Sequence, residues 1–169
     1  MEALGEEQLE DAYRRYFPVI SRKCARMLRN AVEAQDVAQE VFVRLWKSSI
    51  DLRNARTTTA WLYKVSTRLA IERLRSSARR GETTAEAADS VASRDPSADE
   101  RMHHSHVLSD LVQALPEDEL EAVLLSRVDR LTHPEISEVL GVSERTVRRM
   151  LSRVEERIAG WRARREVAT

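Results

Sequence analysis

Apolar residues recur at three- and four-residue steps through most of the chain, which is the spacing of one face of an α-helix. This pattern predicts a helix from about Glu7 to Arg29, in which Pro18 either kinks the helix or begins a second one. Further helices are predicted from Glu33 to about Trp46 and from Ala60 to Arg75. No segment alternates apolar and polar residues long enough to indicate a strand, so we expect an all-α fold.

Two stretches between the helices lack this pattern. Residues 47–59 have no clear helical period, which predicts an ordered loop. From Ser76 to Ser105 the chain is rich in small and acidic residues and nearly devoid of large apolar ones, which is typical of a flexible linker. The sequence therefore predicts two small helical domains, 7–78 and 107–162, joined by a flexible acidic linker, 79–106.

The second predicted domain ends in a helix-turn-helix pattern, Leu131–Val154, after two helices that Pro116 separates. Thr132 and Glu135 are spaced as a capping box at the start of the first short helix. Gly141 falls where a reversal between packed helices needs positive φ, and Ser143 can cap the second helix. The apolar positions expected to share the small core are Ile136, Val139, Leu140, Val142, Val147, Met150, Leu151, Val154 and Ile158.

The second helix of this motif has a strongly basic outer face, and the small residue Ser137 faces it from the first helix. The outward positions are Arg145, Arg148, Arg149, Ser152 and Arg153. This arrangement is typical of a DNA-reading helix-turn-helix. A helical hairpin with a solvated basic face is the simpler alternative. The agreement of cap, turn glycine, small residue and basic face favours the DNA-reading interpretation.

The charges are unevenly distributed, although 28 basic and 28 acidic residues give a formal net charge of zero. Basic residues dominate from Arg53 to Arg80 and again from Val142 to Arg165, whereas acidic residues dominate from Glu82 to Glu100. Two basic blocks separated by an acidic spacer predict two DNA-contacting modules on a tether. In the first block, Trp61 could stack on single-stranded bases, although packing in the core is favoured for a tryptophan beside apolar helix positions.

Other functional classes find little support. The acidic start lacks the regions of a signal peptide and no apolar run is long enough for a membrane span, so we expect a cytoplasmic protein. The only cysteine, Cys24, is interpreted as a small buried hydrophobe rather than a reactive thiol. His103, His104 and His106 have no neighbouring cysteine or carboxylate at a diagnostic spacing, so no metal site is predicted. We found no catalytic motif, which predicts no enzyme activity, cofactor or small-molecule substrate.

Four segments in order resemble a bacterial RNA polymerase sigma factor of the extracytoplasmic-function (ECF) group of the sigma-70 family. They are AQDVAQEVFVRLW (34–46), AWLYKVSTRLAIERLR (60–75), ALPEDELEAVLLSRV (114–128) and the helix-turn-helix. The resemblance covers nearly the whole chain outside the linker. It implies a region 2 helical bundle in the first domain and a region 4 helix-turn-helix in the second. It also implies a protein that directs promoter-specific initiation while the polymerase performs the chemistry.

The resemblance assigns partners to particular residues. It implies that the clamp helices of the largest polymerase subunit are bound by Asp36, Gln39, Glu40, Phe42 and Arg44. Recognition and melting of the minus-ten element fall to Leu52, Arg53, Asn54, Arg56, Thr58, Trp61, Lys64, Arg68 and Arg75. Recognition of the minus-thirty-five element falls to Arg145, Thr146, Arg148, Arg149, Ser152 and Arg153. It further implies that the second domain contacts the flap of the second-largest subunit, and that an anti-sigma factor restrains the protein.

The chain departs from the family pattern in the third predicted helix. Many members have Asn and Asp in an R-N-x-A-x-D motif, where this chain has Arg68 and Glu72 in TRLAIE. Arg68 is therefore expected to change the minus-ten preference.

Two other classes of function remain as alternatives. A stand-alone helix-turn-helix regulator would explain the second domain, but it would leave the DVAQEVF surface and the basic loop and helix without a purpose. An adaptor that binds polymerase and no DNA would leave the outward arginines unexplained.

Overall fold

The computed structural model describes residues 5–81 and 109–167, and all regular structure in these ranges is helical. The helices are α1 (Glu6–Leu28), α2 (Ala31–Lys47), α3 (Ala55–Arg80), α4 (Glu117–Arg127), α5 (His133–Leu140) and α6 (Glu144–Val167), with a further helical segment at 109–114. The predicted all-α fold is therefore confirmed. The chain divides into a first unit, residues 1–114, and a second unit, residues 115–169. Most of the predicted linker lies outside the described residues.

The first unit is built from α1, α2 and α3 packed around one apolar core. The helix α1 continues through Pro18, so the prediction that a second helix begins there is wrong. Pro18 is exposed, and water can satisfy the carbonyl group that a proline leaves without its helical partner. Cys24 is fully buried, as predicted.

Side-chain caps set helix starts that periodicity alone placed too late. The Asn30 Oδ1 atom accepts hydrogen bonds from the backbone N–H groups of Val32 and Glu33 at 3.0 and 3.1 Å, so α2 begins at Ala31 rather than Glu33. In the same way Asn54 Oδ1 accepts from the Thr57 N–H at 3.1 Å. These bonds satisfy donors that a helix start leaves unpaired.

The loop before α3 is consequently shorter than predicted, and α3 is longer. The helix begins at Ala55 and continues to Arg80, so the first residues of the predicted linker belong to it. Gly81 ends the helix with φ at +68°, a conformation that glycine adopts without the steric cost that a Cβ imposes.

Two residues of the first unit do not lie where the apolar pattern suggested. Trp46 falls at the spacing of the apolar positions of α2, but it is 57% exposed. Lys23 is fully buried, with its Nζ atom 3.2 Å from the Met27 sulfur and 5.4 Å from the ring centroid of Tyr63. The contacts of the ammonium group with the Met27 sulfur and the face of the Tyr63 ring offset part of the cost of its burial.

The second unit consists of α4, α5 and α6 around a smaller core. Ile136, Val147 and Val154 are almost completely buried, in agreement with the predicted pattern. The helix α6 continues past Gly160 to Val167, beyond the predicted end of the second domain at residue 162. Arg, Ala and Glu in this segment have high helix propensity, which explains the extension. None of the described helices has the length and apolar character needed to cross a membrane.

Candidate nucleic-acid interface

Hydrogen bonds at both ends of α5 fix the geometry of the helix-turn-helix. Glu135 Oε2 accepts from the Thr132 backbone N–H at 2.7 Å and from its hydroxyl at 2.8 Å. The backbone bond, and then the hydroxyl bond, lowers the pKa of Glu135 below its ordinary value. Gly141 ends α5 with φ at +68°, and Ser143 Oγ accepts from the Thr146 N–H at 3.1 Å to begin α6.

Ser137 has a more specific role than the small size for which it was noted. Its hydroxyl donates a hydrogen bond of 2.5 Å to the backbone oxygen of Val142, in the turn between α5 and α6. The side chain therefore ties the first helix directly to the turn. The bond satisfies a part-buried carbonyl and restrains the direction in which α6 leaves the turn.

The predicted basic face of α6 is present on the surface. Arg145, Arg148, Arg149, Ser152 and Arg153 are all exposed. Arg148 donates to Glu144 at 3.1 Å within the helix. Thr146 is only half-exposed, and its hydroxyl lies 2.9 Å from Ser143 Oγ.

The other arginines of this face differ in their ion pairing. Arg153 and Arg157 both lie within ion-pair distance of the Glu119 carboxylate. Arg145 and Arg149, in contrast, form no ion pair with another described residue, so they present unneutralised charge.

The loop between α2 and α3 is held by its own short-range hydrogen bonds. Ser48 Oγ donates to Leu45 O at 2.7 Å, and Asp51 Oδ1 accepts from the backbone N–H and the Nε of Arg53 at 3.0 and 3.1 Å. The backbone bond from Arg53, followed by the side-chain bond, lowers the pKa of Asp51. The loop exposes Arg53 and Asn54, and Leu52 is half-buried.

Thr58 does not belong to this exposed surface. Its side chain is fully buried, and its hydroxyl donates to Asn54 O at 2.9 Å and lies 3.5 Å from Asp51 O. The predicted direct contact of Thr58 with DNA is therefore contradicted by its burial. The residue instead secures the loop to the first turn of α3.

The remaining predicted residues of this surface lie along α3. Arg56 and Arg68 are exposed, whereas Trp61 and Lys64 are half-buried. Arg75 is also half-buried, and its Nε donates to the Val112 backbone oxygen at 3.3 Å within the first unit. Arg75 therefore already has a structural role. The half-buried Trp61 both packs on the unit and keeps part of its ring accessible.

A second surface, on α2, combines charged and apolar side chains. Asp36, Gln39 and Arg44 are exposed, and Arg44 Nε pairs with the half-buried Glu40 at 3.0 Å. The surface also contains Val43 and Trp46, which are 41% and 57% exposed and which the resemblance did not assign to polymerase binding.

Val43 follows Asp36 by seven residues. This spacing indicates that Val43 shares the helix face of Asp36, because residues seven apart lie on one side of a helix.

Phe42 does not belong to the α2 surface. It is 5% exposed, and its ring lies 5.1 Å from the ring of Tyr13 and 5.6 Å from that of Phe17. Its predicted contact with a partner is contradicted by this burial. Phe42 instead belongs to an aromatic cluster that packs α2 against α1, and such ring pairs add to the packing energy.

No metal-binding group of histidine, cysteine and carboxylate side chains is found among the described residues. His103, His104 and His106, which the sequence analysis considered as metal ligands, lie outside the described residues.

Two family models match this chain, one in each part. Residues 12–80 match sigma-70 region 2, and residues 105–158 match sigma-70, region 4. The first match covers α2, the loop and α3. The second covers the helix-turn-helix.

The chain is also similar to curated proteins over most of its length. It is 30% identical to the RNA polymerase sigma factor CarQ of Myxococcus xanthus, over 82% of this chain and 80% of CarQ. It is 29% identical to the ECF RNA polymerase sigma factor SigW of Bacillus subtilis, over 83% of this chain and 81% of SigW. It is 28% identical to the ECF RNA polymerase sigma factor SigE of Mycolicibacterium smegmatis, over 95% of this chain but only 63% of SigE.

Proposed function

The chain belongs to the sigma-70 family of RNA polymerase sigma factors, in the extracytoplasmic-function group, and we propose how its surfaces divide the work of promoter recognition. As a sigma factor it binds core polymerase and promoter DNA and directs initiation, and the polymerase carries out the chemistry. We assign region 2 to residues 7–78 and region 4 to residues 107–162, an assignment that the two family matches support.

We assign recognition of the minus-thirty-five element to the exposed face of α6. A helix of this kind fits the major groove, where arginine can donate two hydrogen bonds to guanine and other cations contact phosphates. The proposed contacts are Arg145, Thr146, Arg148, Arg149 and Ser152. Arg153, which the sequence also predicted, is not assigned to DNA, because it lies within ion-pair distance of the buried Glu119 carboxylate. Arg145 and Arg149 have no competing ion pair among the described residues, which makes them the strongest candidates for base or phosphate contacts.

We assign the minus-ten element to the loop 48–54 and the exposed side of α3. The proposed contacts are Leu52, Arg53, Asn54, Arg56, Trp61, Lys64, Arg68 and Arg75, without the buried Thr58. A base removed from the duplex loses its stacking, which costs a few kcal/mol, so the protein must supply new contacts. The hydrogen-bonded loop supports this assignment, because a loop that is already held in place loses less conformational entropy on binding than a mobile one.

We assign polymerase binding to the α2 surface formed by Asp36, Gln39, Glu40, Val43, Arg44 and Trp46. Partly exposed apolar residues within a charged rim are typical of a protein interface, and tryptophan and arginine are frequent energetic centres of such interfaces. We propose the clamp helices of the largest subunit as the partner of this surface, and the flap of the second-largest subunit as the partner of the second unit.

Regulation and location are also proposals. The family resemblance suggests an anti-sigma factor that covers both domains, and a protein that acts on promoters inside the cell is expected to be cytoplasmic. The described helices, none of which could span a membrane, are compatible with that location.

The observation that supports a sigma factor over a stand-alone regulator is the region 2 match together with the exposed α2 surface. A regulator that only binds duplex DNA requires neither a mixed charged and apolar helix face nor an exposed, hydrogen-bonded basic loop. The decisive test is runoff transcription with purified core polymerase, with and without the protein, on a pool of randomised promoters.

Transcripts that appear only with the protein are the expected result. Their sequences would define both promoter elements. Sequence-specific binding to duplex DNA without any transcripts would instead identify a stand-alone regulator. The Trp46→Ala variant should reduce transcription by weakening polymerase binding, whereas Val32→Ala, a matched change of another exposed apolar residue on α2, should have little effect.

A further inference from the structure

One carboxylate in the second unit is buried directly beside the DNA-reading helix. The Glu119 side chain, in the first turn of α4, is only 4% exposed. Burial of an ionised carboxylate is strongly unfavourable unless opposite charge or hydrogen bonds compensate. The compensation for Glu119 comes from α6, where Arg157 Nε lies 3.2 Å from Oε2 and an Arg153 terminal nitrogen lies 4.0 Å from Oε1.

The interaction is electrostatic more than directional. Glu119 Oε2 has no hydrogen bond of good geometry to a described residue, even though Arg157 Nε is close to it. The N–H of Arg157 therefore does not point at the oxygen. A charge pair of this kind restrains where the guanidinium groups lie without requiring one exact orientation.

The two arginines belong to a longer stripe on α6. Residues 145, 149, 153 and 157 are four apart, which places them along one side of a helix. The first half of the stripe, Arg145 and Arg149, has no ion pair within the described part of the chain. The second half, Arg153 and Arg157, shares one buried carboxylate. The two halves of the stripe therefore differ in ion pairing with the described residues: the first half is unpaired and the second half is paired with Glu119.

We propose that Glu119 is a positioning residue that holds Arg153 and Arg157 against α4 and so withholds them from promoter DNA. This inference rests on the proposed function of α6. It gives the reason for which Arg153 is not among the proposed minus-thirty-five contacts, and it extends that exclusion to Arg157. A phosphate that took Arg153 or Arg157 would leave a buried carboxylate with less compensating charge, which opposes the exchange.

The consequence is a lower affinity for DNA of any sequence. Phosphate contacts raise affinity for every DNA sequence, whereas base contacts distinguish one sequence from another. By limiting the arginines available to phosphates, Glu119 keeps non-specific binding weak without altering the residues that read bases. We therefore expect its loss to strengthen binding to all duplexes by a similar factor.

The test is the salt dependence of holoenzyme binding to a promoter duplex and to the same duplex with a scrambled minus-thirty-five element. Each phosphate contact contributes about 0.9 to the slope of log affinity against log salt concentration. Glu119→Gln keeps the shape of the side chain and removes its charge. We expect a slope steeper by about one for each freed arginine that reaches a phosphate, to the same extent on both duplexes, so that the ratio of the two affinities is unchanged.

A second substitution makes the test independent of any effect on folding. In the native background, Arg153→Gln should leave the slope unchanged, because Arg153 is withheld. In the Glu119→Gln background, the same substitution should lower the increased slope. A merely structural role of Glu119 would change the melting temperature but would not produce this dependence of one substitution on the other.

Glu155→Gln provides the matched control. Glu155 lies on α6, as Arg153 and Arg157 do, and pairs with Arg127 of α4 at 3.1 Å. Both of these side chains are well exposed. The change in net charge is identical, and an exposed pair restrains its partner weakly. We expect a slope close to that of the native protein.

Three results would overturn the proposal: an unchanged slope for Glu119→Gln, an equal increase for Glu155→Gln, or a flatter slope for Arg153→Gln alone. A native holoenzyme that binds both duplexes equally would instead contradict the proposed function of α6. The failure of the inference and the failure of the function are thus separate results.

Discussion

The two basic surfaces of the protein are built in different ways. On α6, the cations project from a regular helix whose direction is set by packing, by the Gly141 turn and by the bond from Ser137 to Val142. On the loop 48–54, the backbone itself forms the surface. It is held by hydrogen bonds in which the Ser48 side chain donates and the Asp51 and Asn54 side chains accept.

This difference matches the two proposed targets. Duplex DNA has a regular groove that accepts a whole helix, so side chains on a rigid rod can reach the bases. A flipped base has no regular groove around it and requires a concave site with flat or apolar walls. The hydrogen-bonded loop contains the half-buried Leu52, and α3 after it contains the half-buried Trp61. These side chains can supply such walls. The comparison teaches that one chain can read two forms of DNA by supporting one surface through packing and the other through local hydrogen bonds.

The largest effect on the helix surface is expected from Arg149→Ala. Arg149 has no ion pair with any described residue, so its loss leaves no acidic partner behind, and we expect about 1–3 kcal/mol weaker binding to the preferred minus-thirty-five element. Arg148→Ala should cost less, because Arg148 already pairs with Glu144. Holoenzyme affinity for matched and scrambled duplexes measures both. An equal loss on the two duplexes would show that Arg149 contacts phosphate and reads no base.

The turn beneath the same surface is tested by Gly141→Ala. An added Cβ would meet no atom within 4 Å, so the cost is that of a positive φ alone, about 1–2 kcal/mol in the free energy of unfolding. Chemical denaturation of the full chain, followed by circular dichroism, measures it.

Gly160→Ala is the control for that substitution. Gly160 lies within α6, where a Cβ would make ordinary contact with Arg164, and alanine should stabilise the helix by about 0.5–1 kcal/mol. Destabilisation by both substitutions to the same extent would contradict the proposed dependence of α6 on the turn.

For the loop surface, Asn54→Ala should weaken the start of α3 by about 1 kcal/mol, because it removes the side-chain cap. We expect reduced opening of the minus-ten region, measured by the permanganate reactivity of unpaired thymines. Asn30→Ala removes an equivalent cap from α2, which is not assigned to DNA, and should lower stability without this effect on opening. Equal loss of opening in both variants would attribute the effect to stability and not to the loop.

The smallest expected effect is a change in how the stability of the folded protein depends on pH. The pKa of Glu135 is lowered in the folded state, so its stabilising bond to Thr132 is complete above the ordinary pKa of 4.5 and is lost as pH falls through the lower folded value. Asp51 behaves in the same way from an ordinary pKa of 3.8. Melting temperatures from neutral pH downwards should fall less steeply for Glu135→Gln than for the native protein. Parallel curves would show that the bond does not contribute.

The sequence by itself determined the helical fold, the helix-turn-helix and the division of the chain into two regions of sigma-factor type. These features rest on interactions between residues close in the chain. Apolar spacing selects the helix, a glycine permits the positive φ of the turn, and short polar side chains cap the helices that follow them. The sequence also held the signals for Asn30 and Asn54 as caps, although the apolar period alone placed the helix starts too late.

Only the tertiary structure decided which side chains reach the surface and which charges are paired. Phe42 and Thr58 proved to be buried, whereas Trp46 is exposed, because the width of the buried stripe on a helix depends on what packs against it. The pairing of Glu119 with Arg153 and Arg157 joins residues far apart in the chain. No local pattern predicts such a pair, because it arises from how α4 packs on α6 and from the free energy that a buried carboxylate gains from opposite charge.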